Sequence, residues 1–157
     1  ESAVGDLLKA YGKTLSTAES CTGGMISSLI TSVPGSSEYF LGSVTSYANG
    51  VKENVLGVPA EIIAEHGAVS SECVAAMAEG VRRITSSDYS VATSGIAGPG
   101  GGSEEKPVGT VWIGVSSDNG TETFRLKFNS DRKRNIERFS SSALHILLNK
   151  IKKELNN

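Results

Sequence analysis

The chain has few of the residues on which several common classes of protein depend. Of its 157 residues two are cysteine and two are histidine, and aromatic residues make up 6%. Cys21 and Cys73 lie far apart and form no Cys-x-x-Cys motif, so neither a zinc knuckle nor a thioredoxin-like site is indicated. One disulfide between them stays open, but two reduced thiols are the simpler interpretation.

Long apolar runs are also missing. A helix that crosses a bilayer needs about 18–20 mostly apolar residues. The longest useful stretch here, residues 143–148, is interrupted by His145. The start of the chain has no basic segment followed by an apolar one, so we expect no secretory signal, no membrane contact and a cytoplasmic location.

Charge of either sign is scarce but unevenly placed. The formal net charge is −2, yet residues 1–124 carry 6 basic and 14 acidic side chains, whereas residues 125–157 carry 9 basic and 3 acidic ones. A basic terminal segment can contact nucleic acid or phosphate, but it is more often the solvated face of a helix. With a pI of about 5.7, we expect no dedicated nucleic-acid binding.

The apolar periodicity predicts alternating helices and strands. Interleaved elements of this kind are typical of an α/β protein with helices on both sides of its sheet. Asn119-Gly120 between two apolar runs predicts a hairpin, which makes one strand antiparallel. We therefore expect one domain over 1–157, a three-layer α/β/α sandwich with a mixed, mostly parallel sheet. The predicted helices are 4–11, 25–30, 48–56, 59–66, 70–84 and 131–151, and the predicted strands are 13–17, 39–47, 89–93, 108–116 and 121–128.

Residues 20–24 form the most informative turn of the chain. Ser20 falls where the first predicted strand ends and the second helix begins. A hydroxyl at such a junction, beside the free N–H groups of Thr22, Gly23 and Gly24, has what acyl transfer needs: a nucleophile and donors for an oxyanion. On residue type alone, Ser20 or Thr22 could equally be a helix cap.

A serine nucleophile needs a base, and histidine offers none here. His66 lies at a predicted helix end and His145 lies mid-helix, so both are interpreted as structural and a Ser-His triad is poorly supported. Lys52, which follows the second predicted strand, can act as a base if burial lowers its pKa, although a surface lysine is the ordinary alternative. Two weaker alternatives are the pair Ser130 and Lys133, which has Ser-x-x-Lys spacing, and the thiol of Cys21, whose pKa a helix N-terminus would lower.

The segment from Gly95 to Gly102 is rich in glycine. It is not a Walker A loop, because Gly101-Gly102 occupy the Lys-Ser/Thr positions, and it does not read Gly-x-Gly-x-x-Gly. Placed after a predicted strand, it can offer backbone N–H groups to an anion or a carbonyl, or it can be a flexible surface loop.

Four stretches together resemble the C-terminal domain of the CinA (competence-damage-inducible) family, and the resemblance spans nearly the whole chain. The first is Thr-Ala-Glu-Ser-Cys-Thr-Gly-Gly at 17–24 and the second is Tyr47 with Asn-Gly-Val-Lys at 49–52. The third is His-Gly-Ala-Val-Ser at 66–70. The fourth is Ser-Gly-Ile-Ala-Gly-Pro at 94–99, which continues through 102–111.

This resemblance implies a serine–lysine amidohydrolase that converts nicotinamide mononucleotide and water to nicotinic acid mononucleotide and ammonia. Ser20 would be the nucleophile, Lys52 the base, and Tyr47 the residue that orients or assists the lysine. Thr22 and Gly23 would supply oxyanion donors, and Arg132 would meet the 5′-phosphate. The residues implied to hold the substrate are Ser94, Gly95, Ala97 and Gly98.

No metal or other cofactor is expected, because the sequence has no ligand cluster and amide hydrolysis through an acyl-enzyme needs none. The partner is a small nucleotide, and the resemblance suggests a homo-oligomer. A second interpretation stays open: a nucleotide-binding or competence-related interaction module that keeps the same pocket with little or no catalysis.

Overall fold

A computed structural model describes residues 1–156 of the chain. The helices are α1 (Ser2–Ala10), α2 (Met25–Thr31), α3 (Asn49–Asn54), α4 (Ala60–His66), α5 (Ser71–Thr85) and α6 (Arg132–Leu155). The strands are β1 (Leu15–Glu19), β2 (Phe40–Thr45), β3 (Tyr89–Gly95), β4 (Thr110–Ser117) and β5 (Gly120–Lys127), and a 3₁₀ turn covers Ser36–Glu38.

The five strands form one sheet in the order β2-β1-β3-β4-β5. β1 pairs in parallel with β2 and with β3, while β4 is antiparallel to both β3 and β5. β4 alone therefore runs against the other four strands, and this reversal follows from the β4–β5 hairpin predicted at Asn119-Gly120. The predicted α/β fold with a mixed sheet is confirmed.

Each face of the sheet is covered by helices, which gives the three expected layers. On one face α1, α2 and α6 bury a core that includes Leu8, Ile26 and Phe139. On the other face α5 lies across β1, β3 and β4, with Val74 and Met77 fully buried. α5 approaches the sheet closely at Gly114, where an added Cβ would lie 2.7 Å from the Val74 carbonyl oxygen.

The strand register brings the ends of the three parallel strands together. Glu19, the last residue of β1, pairs with Thr45 of β2 and with Thr93 of β3. The segments that follow these strands therefore leave the sheet at one edge, which is the usual place for a ligand in an open α/β sheet. This edge positions the candidate site.

The observed boundaries of the helices and strands differ by a few residues from those predicted from the sequence. β1 begins at Leu15 rather than at Lys13, because the Thr14 backbone N–H and hydroxyl both donate to the Asp88 carboxylate and so turn the chain before the sheet. β4 begins at Thr110 because Gly109, with φ +92°, bends the chain just before it.

The basic residues near the end of the chain are mostly solvated, as expected. Lys133, Arg134 and Arg138 are exposed on α6. Lys150 is the exception, since it is buried and forms a 2.8 Å ion pair with Glu154. Across residues 1–156, no helix combines the length and the apolar character that crossing a membrane requires.

Candidate active site

A cavity of about 280 Å³ opens at the edge of the sheet where β1, β2 and β3 end. Its walls come from the turn after β1, from the segment that contains α3, from the glycine-rich loop after β3 and from the start of α6. The predicted site residues that line it are Ser20, Tyr47, Lys52, Ser94, Gly95, Ala97, Gly98 and Arg132. The structure thus brings together eight residues that are up to 112 positions apart.

Ser20 and Lys52 are in direct contact. The Lys52 Nζ atom lies 3.0 Å from the Ser20 Oγ atom, a distance suited to proton transfer. Lys52 points inward from α3 and is 1% exposed, so the ordinary expectation of a surface lysine does not hold here. Ser20 is 9% exposed, and its small open fraction faces the cavity.

The burial of Lys52 shifts its protonation equilibrium toward the uncharged form. Burial lowers the pKa of Lys52 below its usual value, because the ammonium loses the solvation of water. Within residues 1–156, no carboxylate lies close enough to form an ion pair with it. Its Nζ atom donates to the carbonyl oxygens of Ser46 at 2.6 Å and Tyr47 at 3.3 Å. In a neutral amine those two bonds use both N–H groups, which leaves the lone pair for the Ser20 hydroxyl.

The turn after β1 differs from its predicted arrangement. The N–H of Gly23 donates to the Ser20 carbonyl oxygen at 3.0 Å, so it is not a free oxyanion donor. The Thr22 side chain points away from the cavity, because its hydroxyl donates to Glu19 at 2.7 Å. Neither residue lines the cavity. The Gly23 N–H is already used, whereas the backbone N–H of Thr22 has no acceptor among residues 1–156, so the assignment of Thr22 as an oxyanion donor stays a prediction.

Glu19 explains why the N-terminus of α2 is not available to a ligand. Its fully buried carboxylate accepts from the N–H groups of Ile26 at 2.8 Å and Ser27 at 3.0 Å. These are early amides of α2, and a carboxylate there also offsets the positive end of the helix dipole. The helix end that was predicted to face a developing oxyanion is thus occupied by a side chain of the chain itself.

The backbone N–H of Cys21 is a further candidate oxyanion donor. Cys21 lines the cavity directly after Ser20, and no other residue among 1–156 accepts a backbone hydrogen bond from its N–H. The residue after the nucleophile supplies such a donor in hydrolases with a strand-to-helix nucleophile turn. Cys21 was considered in the sequence only as a thiol, so this backbone role was missed.

The Cys21 thiol is a poor nucleophile here. Burial raises its pKa to about 12, which is opposite to the lowering that a free helix N-terminus would cause. The helix end cannot lower it, because Glu19 caps that end. Cys73 is also buried with a raised pKa, and both cysteines are free thiols.

Tyr47 and Arg132 meet at the mouth of the cavity. The Arg132 guanidinium donates to the Tyr47 hydroxyl at 3.0 Å and to the Gly98 carbonyl oxygen at 2.8 Å. Tyr47 is 61% exposed, and it contacts Lys52 through its backbone carbonyl rather than through its phenol. The predicted orienting contact with the lysine is therefore made by the main chain.

The glycine-rich loop after β3 is anchored to α6 by a residue that was not among the predicted site residues. Asn135, fully buried in the first turns of α6, donates to the carbonyl oxygens of Ala97 at 3.0 Å and Ser130 at 2.9 Å. The sequence feature that could have indicated this role is the position of Asn135, an amide side chain on the apolar face of an amphipathic helix. Gly95 packs so closely that an added Cβ would lie 2.6 Å from the Thr110 carbonyl oxygen.

The remaining candidates lie elsewhere. Neither Ser130 nor Lys133 lines the cavity, and Lys133 is exposed. Asp131 caps α6 by accepting from the Arg134 N–H. His66 lies 3.6 Å from Glu65 at the end of α4, away from Ser20, and His145 is exposed on α6. In the region 1–156, no cluster of three or more His, Cys, Asp or Glu side chains has the arrangement of a metal site.

The fold and the cavity together define a class: an α/β/α sandwich domain with a buried serine–lysine pair at the edge of its parallel strands. Comparison with known families identifies it further. A model of the CinA C-terminal domain matches residues 1–151, and the chain belongs to this family.

The similar proteins agree with this assignment. A CinA-like protein of Pseudothermotoga lettingae is 51% identical over 148 residues, which are 94% of this chain and 36% of that protein. A CinA-like protein of Thermotoga maritima is 49% identical over 94% of this chain and 36% of its own length. The chain thus spans about a third of these curated relatives.

Solved structures of the same family share the fold. The competence damage-inducible protein A of Klebsiella pneumoniae superposes with a TM-score of 0.92 at 36% identity, covering 96% of this chain and 93% of that one. The competence/damage-inducible protein CihA of Agrobacterium tumefaciens has a TM-score of 0.88 at 35% identity, covering 94% of this chain and 96% of its own.

Proposed function

We propose that this chain is a serine–lysine amidohydrolase that hydrolyses the carboxamide of nicotinamide mononucleotide. The observation that carries the proposal is the 3.0 Å contact between Lys52 Nζ and Ser20 Oγ, made by a lysine that is shut off from solvent. Such a lysine has no structural ion pair to explain its burial, which costs free energy. A role as a general base accounts for that cost.

The chemistry proceeds in two halves. In the first, the neutral Lys52 amine takes the Ser20 proton while the oxygen attacks the carboxamide carbon, and the Cys21 N–H stabilises the oxyanion. The carbon–nitrogen bond then breaks, and the nitrogen leaves as ammonia with the proton that Lys52 has carried. In the second half, water attacks the acyl-enzyme with Lys52 again as base, which releases the acid and restores Ser20.

The mouth of the cavity supports a phosphorylated substrate. Arg132 is the cation that lines the cavity besides Lys52, and a guanidinium binds phosphate with paired N–H groups. Its present acceptors, the Tyr47 hydroxyl and the Gly98 carbonyl, are neutral groups that a phosphate dianion would displace. The wall of residues 94–98 would then lie along the rest of the nucleotide.

The test is release of ammonia from nicotinamide mononucleotide by the purified chain. We expect turnover by the wild type and a loss of about 10³-fold or more in kcat for both Ser20→Ala and Lys52→Met, because nucleophile and base act as a unit. Ser28→Ala, an exposed serine on α2, is the matched control and should keep wild-type activity. Wild-type turnover by Ser20→Ala would overturn the assignment.

The same samples distinguish the enzyme from a binding module. A module that only binds the nucleotide would show heat of binding by calorimetry with no ammonia from the wild type. We also propose a cytoplasmic location, since two free buried thiols suit a reducing compartment.

A further inference from the structure

Ser94 lies beside Ser20 at the end of the neighbouring parallel strand. β1 and β3 pair residue by residue up to Glu19 and Thr93, and the Ser20 N–H continues the ladder by donating to the Thr93 carbonyl oxygen at 3.0 Å. The next residue of β3 is Ser94. Since neighbouring strands are about 5 Å apart, the two serines are adjacent.

The side chains of Ser20 and Ser94 project from the same face of the sheet. On β3 the Ser90 hydroxyl donates to the Ala78 carbonyl oxygen of α5, and Ala92 packs in the core under α5. Strand alternation therefore directs Ser94 toward this side as well. On β1, Ala18 belongs to the same core, so Ser20 projects in the same direction, toward Lys52.

The Ser94 hydroxyl has no hydrogen-bond partner among residues 1–156, although the residue is only 1% exposed and lines the cavity. Other buried serines of the sheet are satisfied: Ser90 donates to Ala78, and Ser16 pairs with Ser87. The Ser94 hydroxyl is not among the fully buried atoms left without a partner, so it is open to the cavity that Ser94 lines and is free to hydrogen-bond a ligand there.

We propose that Ser94 is a further catalytic residue, a proton relay between Lys52 and the leaving ammonia. This inference rests on the proposed function and goes beyond holding the substrate. As the carbon–nitrogen bond breaks, the Ser94 hydroxyl gives its proton to the departing nitrogen and takes one from the Lys52 ammonium. Afterwards Lys52 is neutral again, the original Ser94 proton is on ammonia, and the Ser94 hydroxyl is restored with a proton from the Lys52 ammonium.

The test compares two substrates that differ only in the leaving group: nicotinamide mononucleotide and the phenyl ester of nicotinic acid mononucleotide. Phenolate leaves without needing a proton, whereas the amide nitrogen needs one. For Ser94→Ala we expect kcat/KM on the amide to fall about 10²- to 10³-fold, the usual contribution of a positioned acid, with the ester within about 3-fold of wild type. Ser94→Thr keeps a hydroxyl and should restore most of the amide activity.

The control is Ser90→Ala, which removes a buried serine on the same strand and the same face, four residues before Ser94. It should leave the ratio of amide to ester rates unchanged. Equal losses on both substrates in Ser94→Ala would assign Ser94 to substrate binding alone and overturn the relay, as would full amide activity in that variant. If the wild type hydrolyses neither substrate, the proposed function itself fails, and the relay fails with it.

Discussion

Lys52 is the residue on which the proposed chemistry depends, and its burial and its contact with Ser20 were only partly predictable. The sequence marks it as an isolated lysine after a strand, but a surface location was the ordinary expectation. Its burial follows from long-range packing, since α3 turns it beneath Ser46 and onto Ser20, 32 positions earlier. Residue type and spacing therefore indicate Ser20 and Lys52 as candidates. Their direct contact and the burial of Lys52 are evident only from the folded structure.

The pH dependence expected of the proposed reaction follows from the lowered pKa of Lys52. The amine must be neutral to accept the Ser20 proton, so kcat/KM should rise with pH and level off above the pKa of Lys52. Because burial lowers that pKa, the midpoint should lie below that of an ordinary lysine. A pH–rate profile of the free enzyme measures it, and a midpoint at or above the ordinary lysine value would contradict the burial argument.

At the scale of elements, the turn between β1 and α2 gives the clearest correction. Its polar character and its place before a helix were predicted from sequence, but its free N–H groups were not where expected. Glu19 faces α2 because the side chains of β1 alternate, and Ser20 faces the other side. Applying the strand alternation through Glu19 would have shown that its carboxylate reaches the helix.

This arrangement makes Glu19 important for the stability of the turn. Glu19→Ala removes the acceptor of two amides and one hydroxyl, and we expect the free energy of unfolding to fall by about 2–4 kcal/mol. Glu19→Gln keeps one acceptor oxygen and should lose about half as much. Urea denaturation measures both, with the exposed Glu61→Ala as the control. A loss in Glu19→Ala no larger than in that control would show that the cap contributes little.

At the scale of the whole molecule, the fold class was predictable because local patterns repeat along the chain. Apolar periodicity, the hairpin signal and the interleaving of helices with strands were enough to define the layers. The mouth of the cavity was not predictable in this way, because it joins Tyr47 to Arg132 across 85 positions and Ala97 to Asn135 across 38. Such contacts depend on how α6 returns to the sheet edge.

The expected homo-oligomer is a further property of the whole molecule. β2 is an edge strand and exposes Leu41, and Val55 is exposed just after α3. We expect a second copy of the chain to cover apolar surface of this kind. Light scattering after size exclusion should give a multiple of the 16.3 kDa chain mass. A mass equal to one chain at micromolar concentration would contradict this expectation.

The central claim is that the Lys52 amine activates the Ser20 hydroxyl, and reaction with a sulfonyl fluoride tests it without assuming a substrate. Intact-mass and peptide mass spectrometry would follow labelling of Ser20 across pH in the wild type and in Lys52→Met. We predict labelling at Ser20 whose rate rises with pH to a plateau in the wild type and nearly vanishes in the variant. Equal labelling rates in the two proteins, or labelling at another residue, would contradict the account.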